Sequence, residues 1–158
     1  MDEFKLEIGS IGNLEMLTDH RTLMWIDIHP ELKMKIEKSR KITKEWIREK
    51  LLDRSLIPFI VRTSDGTIAG SGCILIKEDQ PRPGSDQLKH PYLLSMYTLP
   101  EFRKKGVASM IVKAAIEWSL RNKFDRITLH ASAQAFGLYK KFGFKQTNEM
   151  RLKLTENY

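Results

Sequence analysis

The chain has 158 residues, of which 41% are hydrophobic and 30% are charged. These proportions are typical of one globular domain and exclude a disordered or collagen-like chain. The 27 Lys and Arg residues outnumber the 20 Asp and Glu residues, which gives a formal net charge of +7 at pH 7. This excess favours an anionic partner, such as a nucleic acid, an acidic surface or a small molecule that carries phosphate.

The single cysteine, Cys73, cannot form a disulfide within the chain. This agrees with a reducing compartment, so we expect a cytoplasmic protein. No run of residues approaches the roughly 18 apolar residues of a membrane span. The chain opens with the acidic residues Asp2 and Glu3, whereas a secretory leader opens with basic and then apolar residues. We therefore expect neither a membrane span nor a secretory leader.

The first half of the chain predicts strands, helices and a hairpin. Alternation of apolar and charged residues indicates strands, and apolar residues at helical spacing indicate amphipathic helices. An Asp-Gly pair between two apolar runs indicates a hairpin turn at residues 64–66. The predicted elements are a strand at 4–8, a helix at 13–28, a basic stretch at 33–44 that runs into a second helix ending near 51, strands at 58–62 and 67–77, and a polar loop at 78–89.

The second half of the chain alternates strands with helices. The predicted elements are a strand at 92–98, a strongly periodic helix at 105–122, a strand at 126–130, a short helix at 134–141 and a last strand at 144–154. A strand–helix–strand unit of this length implies a right-handed crossover and a locally parallel pair of strands. The sequence therefore predicts a mixed-sheet α/β domain that spans residues 1–158.

The segment that leads into the long helix can bind an anion. Residues 103–109 read Arg-Lys-Lys-Gly-Val-Ala-Ser, and the small residues Gly106 and Ala108 let a ligand approach the backbone. A helix N-terminus presents free N–H groups and about half a positive charge, which together favour phosphate. The string alone also fits a helix that merely begins with basic surface residues. Neither a Walker loop nor a dinucleotide-binding fingerprint is present.

Several strings between Tyr92 and Phe144 resemble, in order and spacing, those of the GNAT acetyltransferases. They are L-L-S-M-Y-T at 93–98, P-E-F-R-x-x-G-x-A at 100–108, L-H-A-S at 129–132 and L-Y-K-K-F-G-F at 138–144. The resemblance implies a six- or seven-stranded mixed sheet, splayed between strands 4 and 5 and flanked by four helices. It also implies an acceptor-side half at residues 1–90 and an acetyl-coenzyme A half at residues 91–158.

The resemblance implies roles for individual residues. Met96 would offer its backbone N–H to the thioester oxygen, and Tyr139 would act as the acid that protonates the leaving thiolate. Thr98 would pair its backbone with the pantetheine arm. The residues implied in binding acetyl-coenzyme A are Met96, Thr98, Arg103, Lys104, Lys105, Gly106, Val107, Ala108, Ser109, Ser132, Ala135 and Lys141. The sequence indicates no metal site, because the four histidines are scattered.

No general base can be assigned from the resemblance. Tyr92 stands where other members of the superfamily often have a carboxylate, and His130 fits a packed or hydrogen-bonded histidine better than a catalyst. Candidates for the base are Asp27, Glu31, Glu149 and water relayed through Ser95 or Tyr97. The acceptor would enter over the first two helices and the 78–89 loop.

We therefore expect an enzyme that transfers the acetyl group of acetyl-coenzyme A to an amine by direct attack in a ternary complex. The acceptor would be a small molecule or peptide, and the protein would form a homodimer without binding nucleic acid or membrane. Two alternatives stay open: a non-catalytic acyl-coenzyme A sensor and a basic nucleic-acid-binding domain. The basic run at 33–44 lacks interleaved aromatic residues, which favours a solvated helix flank over a nucleic-acid surface.

Overall fold

The computed structural model describes residues 3–156 and shows helices packed on both sides of a sheet. The strands are β1 (Phe4–Ile8), β2 (Leu56–Thr63), β3 (Ile68–Glu78), β4 (Lys89–Thr98) and β5 (Thr128–Leu129). The helices are α1 (Leu14–Ile28), α2 (Lys33–Lys38), α3 (Arg40–Leu52), α4 (Val107–Arg121) and α5 (Phe136–Lys141). Short 3-10 turns lie at Ile11–Asn13 before α1, at Pro30–Leu32 before α2, and at Pro100–Phe102 before the loop that leads into α4.

The strands form one mixed sheet in the order β1-β2-β3-β4-β5. The first four strands are antiparallel neighbours, and β5 is parallel to β4. A parallel pair needs a crossover connection, which α4 supplies. The fold class is therefore the one that the sequence predicts, a mixed α/β sheet flanked by helices.

Two apolar clusters cover the two faces of the sheet. Successive residues of a strand point to opposite faces. Ile74 accordingly belongs to a cluster that includes Ile111 of α4, whereas its neighbour Cys73 belongs to a cluster that includes Leu17 of α1 and Ile47 of α3. The helices α1 and α3 therefore lie on one face, and α4 lies on the other.

Two glycines of β3 let α4 approach the sheet closely. A Cβ atom at Gly72 would lie 2.8 Å from Ile111 Cγ2, and one at Gly70 would lie 2.7 Å from the Tyr97 carbonyl oxygen and 2.8 Å from Val107 Cγ1. These distances leave no room for a side chain. The first turn of α4 is therefore held directly against β3 and the end of β4.

The structure corrects the predicted number of strands. In the described part of the chain the sheet has five strands rather than six or seven, and the predicted last strand at 144–154 has no regular secondary structure. Its alternating apolar residues Met150, Leu152 and Leu154 are 94%, 80% and 85% exposed. An alternating segment forms a strand only where another strand offers an edge to pair with. The neighbouring strand β5 has only two residues, so its edge is too short to pair with residues 144–154.

The basic stretch at 33–44 also differs from the prediction, because its first part forms a helix of its own. The hydroxyl of Ser39 donates to the carbonyl of Ile36 at 2.7 Å, where α2 ends and α3 begins. The described residues therefore contain five α-helices rather than four. Arg40 of this stretch pairs with Glu15 at 3.0 Å and Asp19 at 2.6 Å, so it binds α3 to α1.

No helix in residues 3–156 combines the length and the apolar character that crossing a membrane requires.

Candidate active site

The strand β4 contains a bulge in its second half. Ser95 and Met96 together oppose the single residue Gly72 of β3, because the register shifts between Leu94 and Tyr97. Ser95 takes a φ of 57°, in the left-handed region. Bulges of this kind re-aim backbone groups and often lie beside functional sites. Neither Ser95 nor Met96 has a register partner on β5, so the backbone of Met96 lies outside both ladders.

The strands β4 and β5 pair at only two positions. Tyr92 pairs with Thr128 and Leu93 pairs with Leu129, and the parallel ladder goes no further. The last residues of β4, including Thr98, therefore present a free strand edge on the β5 side. A free edge offers unpaired N–H and C=O groups to an extended ligand, which can add as if it were another strand.

Backbone N–H groups gather at the start of α4. Lys104 and Gly106 both have positive φ values, 61° and 88°, and no side chain caps the helix. Within residues 3–156, no group accepts a hydrogen bond from the N–H of Lys104 or from those of residues 106–109. Left-handed residues beside a helix start make a concave set of N–H donors. Such a set of donors is suited to a phosphate group, the ligand that the sequence predicts for this segment.

Arg103 connects this turn to its surroundings. Its Nε donates to the Thr98 carbonyl at 3.0 Å, its Nη2 pairs with Asp27 of α1, and its guanidinium carbon lies 5.7 Å from the centroid of the Tyr97 ring. The guanidinium is thus largely occupied by protein groups, and it fixes the turn against β4 and α1. Lys105 is also engaged, since its Nζ lies 5.5 Å from the centroid of the Phe102 ring.

Tyr139 lies on α5 with 6% of its surface exposed. Its ring meets the edge of Phe144 at 5.8 Å between centroids. Burial raises the pKa of the Tyr139 phenol to about 12, so the hydroxyl keeps its proton at neutral pH. Tyr139 can therefore donate a proton or a hydrogen bond, but it cannot serve as a base. Tyr139 also lines a cavity of about 620 Å³ between β5, α5 and residues 142–149.

Ser132 and Ala135 form the turn between β5 and α5. The Ser132 hydroxyl and carbonyl oxygens accept from the Ala135 N–H at 3.3 and 3.1 Å, which makes Ser132 a cap for this turn. Lys141 is exposed at the last position of α5. The structure therefore brings Ser132, Ala135 and Tyr139 together on one segment that follows the short strand β5.

A line of three polar side chains joins β4, the end of β5 and the C-terminal segment. The Tyr92 hydroxyl contacts His130 Nδ1, and His130 Nε2 lies 2.9 Å from both carboxylate oxygens of Glu149. The hydrogen bond from His130 lowers the pKa of Glu149, while burial raises that of Tyr92. Sequence patterns did not predict this line, although Glu149 was a candidate base and His130 stands in the L-H-A-S string.

A second histidine, His20, is buried under the bulge. Its Nδ1 lies 2.7 Å from the Ser71 hydroxyl, and its ring centroid lies 5.2 Å from that of Tyr97. Burial lowers the pKa of His20 to about 4, so the imidazole is neutral at pH 7. His20 therefore supports the end of β4 as an uncharged group.

The remaining carboxylate candidates for the base are engaged elsewhere. Asp27 pairs with Arg103, and Glu31 lies 3.2 Å from His29 at the surface. Cys73 is buried, and burial raises the pKa of its thiol to about 12, so it is not a nucleophile. Among residues 3–156 there is no group of three or more side chains suited to hold a metal ion.

The polar loop at 78–89 is bound to the connection between α4 and β5. The Ser85 hydroxyl contacts Asp125, and the Gln87 side chain donates to the Lys123 carbonyl at 2.6 Å and accepts from the Asp125 N–H at 2.9 Å. The loop is thus held against residues 123–125. The polar side chains that contact the bulge and the residue after it come instead from α1, since Arg21 donates to Ser95 and His20 lies against Tyr97.

The fold is that of an acetyltransferase family. The chain matches the model of the Acetyltransferase (GNAT) family over residues 14–144, and it belongs to that family. No curated protein sequence matches this chain with significant similarity.

Solved structures share the fold over nearly the whole chain. A GCN5-related N-acetyltransferase from Ralstonia eutropha JMP134 superposes with a TM-score of 0.87 at 21% identity, covering 96% of this chain and 99% of that one. A predicted acetyltransferase from Clostridium acetobutylicum, solved with acetyl-coenzyme A, gives 0.81 at 21% identity, covering 97% and 96%. The aminoglycoside N-acetyltransferase AAC(6')-Iy, solved with coenzyme A, gives 0.73 at 19% identity, covering 99% and 97%.

Proposed function

We propose that this acetyltransferase moves the acetyl group of acetyl-coenzyme A to an amine by direct attack in a ternary complex. The observation that carries the proposal is the set of backbone N–H groups without an acceptor at the start of α4, next to the free edge of β4. Residues 91–158 would supply the coenzyme side of the site. Residues 1–90 would supply most of the acceptor side, and His130 and Glu149 would contribute to that side as well.

The residues at the start of α4 fit a pyrophosphate. The N–H groups of residues 104–109 would donate to it, and a Cβ at Gly106 would meet no protein atom within 4 Å, so the space in front of the turn is open. Thr98 would pair with the pantetheine arm through its backbone; its carbonyl accepts from Arg103 but has a second lone pair. Ser132 and Ala135 would flank the arm, and Lys141 would reach the nucleotide.

Two groups would stabilise charge during the transfer. Acetyl-coenzyme A supplies the activated thioester, whose carbonyl oxygen becomes more negative as the amine attacks. Met96, which has no register partner on β3 or β5, would donate its backbone N–H to that oxygen. Tyr139 would donate to the leaving sulfur. Because its pKa is about 12 and that of a thiol is about 8.5, the phenol serves chiefly as a hydrogen-bond donor to the thiolate.

The line of Tyr92, His130 and Glu149 would take up the proton of the attacking amine. The amine proton would pass to the Tyr92 oxygen while the Tyr92 proton passes to His130 Nδ1. The resulting imidazolium would be held by the Glu149 carboxylate, 2.9 Å from Nε2. The other carboxylates proposed for this role, Asp27 and Glu31, have different partners.

The distribution of acidic residues argues against a polycationic acceptor such as an aminoglycoside. Such an acceptor needs carboxylates that converge near the transfer point. Asp19, Asp27 and Asp79 are instead paired with Arg40, Arg103 and Arg126 respectively. The proposed entrance is lined by α1 rather than by the 78–89 loop, which is bound to residues 123–125.

The proposal is tested by measuring thiol release from acetyl-coenzyme A with a panel of amines that covers peptides, amino acids, small alkylamines and aminoglycosides. We expect release that depends on an amine, with a product heavier by one acetyl group. Calorimetric binding of coenzyme A without release for any amine would instead establish a non-catalytic acyl-coenzyme A module. If the protein does not bind coenzyme A but binds nucleic acid with an affinity that falls steeply with salt, it is a basic nucleic-acid-binding domain.

A further inference from the structure

Arg21 of α1 is a partly buried cation beside the bulge of β4. Its Nη1 donates to the Ser95 hydroxyl at 2.8 Å, and its guanidinium carbon lies 5.8 Å from the centroid of the Trp25 ring. Burial lowers the pKa of this guanidinium, but arginine keeps its charge at neutral pH. The guanidinium has five N–H donors, and the Ser95 hydroxyl accepts from only one of its nitrogens. No carboxylate in the described part of the chain balances its charge.

Arg21 differs in this respect from the other arginines. Within residues 3–156, no Asp or Glu forms an ion pair with it, and the two titratable groups that interact with it, Cys73 and Tyr92, are uncharged at neutral pH because burial raises the pKa of each. Arginines that do pair with a carboxylate include Arg40, Arg62, Arg103 and Arg126. The others without a carboxylate are exposed to water: Arg54, Arg82, Arg121 and Arg151. A desolvated cation without an anion costs free energy, which a bound anion recovers.

The position of Arg21 places that anion at the proposed transfer point. Ser95, which it contacts, directly precedes Met96 in the bulge. The same guanidinium lowers the pKa of Tyr92, although burial has the larger and opposite effect. A second cation, Lys77 Nζ, lies 4.0 Å from the centroid of the Tyr92 ring. Arg21 thus lies beside the bulge, and its charge acts on Tyr92 at one end of the line of Tyr92, His130 and Glu149.

We propose that Arg21 binds an anionic group, a carboxylate or a phosphate, on the amine acceptor. The substrates are then amines that carry a negative charge elsewhere in the molecule, such as amino acids, peptides or amino phosphates. This inference rests on the proposed function and names its substrate class. Arg21 would recognise the anion through paired N–H donors, a geometry that lysine and neutral side chains do not reproduce.

The test uses three acceptors with one alkyl chain and one terminal amine, which end in a carboxylate, a phosphate or a neutral carboxamide. We expect kcat/KM of wild-type protein to be roughly 10- to 100-fold higher for at least one anion than for the carboxamide. In Arg21→Gln that ratio should fall toward one, mainly through a higher KM for the anion. Arg21→Lys should restore part of the ratio. Comparison of the carboxylate with the phosphate identifies the preferred anion.

The matched control is Arg121→Gln, which removes an exposed arginine of α4. It should leave the ratio at its wild-type value. A wild-type ratio near one, or the same ratio in Arg21→Gln as in wild type, overturns the inference.

A binding measurement separates this inference from the proposed function. The same three compounds are titrated calorimetrically into protein saturated with coenzyme A. If neither these compounds nor the amine panel is acetylated, but an anion binds to wild type and not to Arg21→Gln, then acetyl transfer to amines fails and the anion site stands. If no compound turns over and no binding depends on Arg21, the anion site is refuted as well.

Discussion

The phenol of Tyr139 keeps its proton over the whole physiological range, because burial raises its pKa to about 12. Tyr139→Phe removes the hydroxyl but keeps the ring that packs on Phe144. We expect kcat to fall by about 100- to 1,000-fold, the usual effect of losing one donor to a developing charge. The Kd for acetyl-coenzyme A should change little, which calorimetry checks. A wild-type kcat in this variant would remove Tyr139 from the proposed mechanism.

The burial of His20 makes stability depend on pH. Its folded pKa is about 4, whereas the unfolded chain has the ordinary value of 6.5. The unfolded state therefore binds the proton more readily. The contribution of a neutral His20 is complete above about pH 6.5 and is lost as the pH falls toward 4, by up to about 3 kcal/mol.

Urea unfolding of wild type and His20→Asn between pH 7 and pH 4.5 measures this contribution. The carboxylates titrate in both proteins, so the difference between the two stability curves isolates His20. We expect the variant to lose less stability than wild type as the pH falls. His29→Asn, which alters a histidine that is 44% exposed, is the control and should follow wild type. Parallel curves for wild type and His20→Asn would contradict the expectation.

At the scale of elements, the turn before α4 and the β2–β3 hairpin each contain a glycine with nearly the same positive φ. Gly106 has a φ of 88° and Gly66 a φ of 90°, and a Cβ at either would meet nothing within 4 Å. Alanine at either position should cost about 1–2 kcal/mol of unfolding free energy, because L-residues disfavour positive φ. Only Gly106→Ala should weaken acetyl-coenzyme A binding, by roughly tenfold, the equivalent of one charge-assisted hydrogen bond.

Denaturant unfolding and calorimetry with acetyl-coenzyme A measure the two effects separately. Gly66→Ala supplies the matched loss of stability without a change at α4. Equal weakening of coenzyme binding in both variants would mean that the effect comes from stability alone, and the phosphate site at α4 would lose its support.

Elements whose signal is local could be predicted well from the sequence. The helix predicted at 105–122 is α4 at Val107–Arg121, and the predicted hairpin is β2 and β3. The last strand could not be predicted reliably, because a strand needs a partner edge and the sequence does not show which edges are free. The site divides in the same way. Gly106 belongs to a contiguous motif, whereas Arg21 contacts Ser95, and His130 contacts Tyr92 and Glu149, only through tertiary packing.

At the scale of the whole molecule, the line of Tyr92, His130 and Glu149 draws on three distant segments. His130→Gln should lower kcat by about 100-fold at neutral pH, the usual contribution of a proton acceptor, with little change in KM. The deficit should shrink as the pH approaches about 10, because the free amine then forms without help. A pH–rate profile measures this.

His29→Gln is the control for that profile, since His29 pairs with Glu31 and contacts neither Tyr92 nor Glu149. A deficit in His130→Gln that stays constant over the whole pH range would indicate that His130 has a structural role instead of accepting a proton.

Cys73 has a practical consequence for kinetic work on this protein. The chain contains one cysteine, which is buried and whose thiol has a pKa of about 12. Chromogenic disulfide reagents react with exposed thiolates, so the folded polypeptide should give almost no background colour with them. Free coenzyme generated during turnover can therefore be recorded continuously in the cuvette, and a slow rise without substrates would report unfolding of the sample.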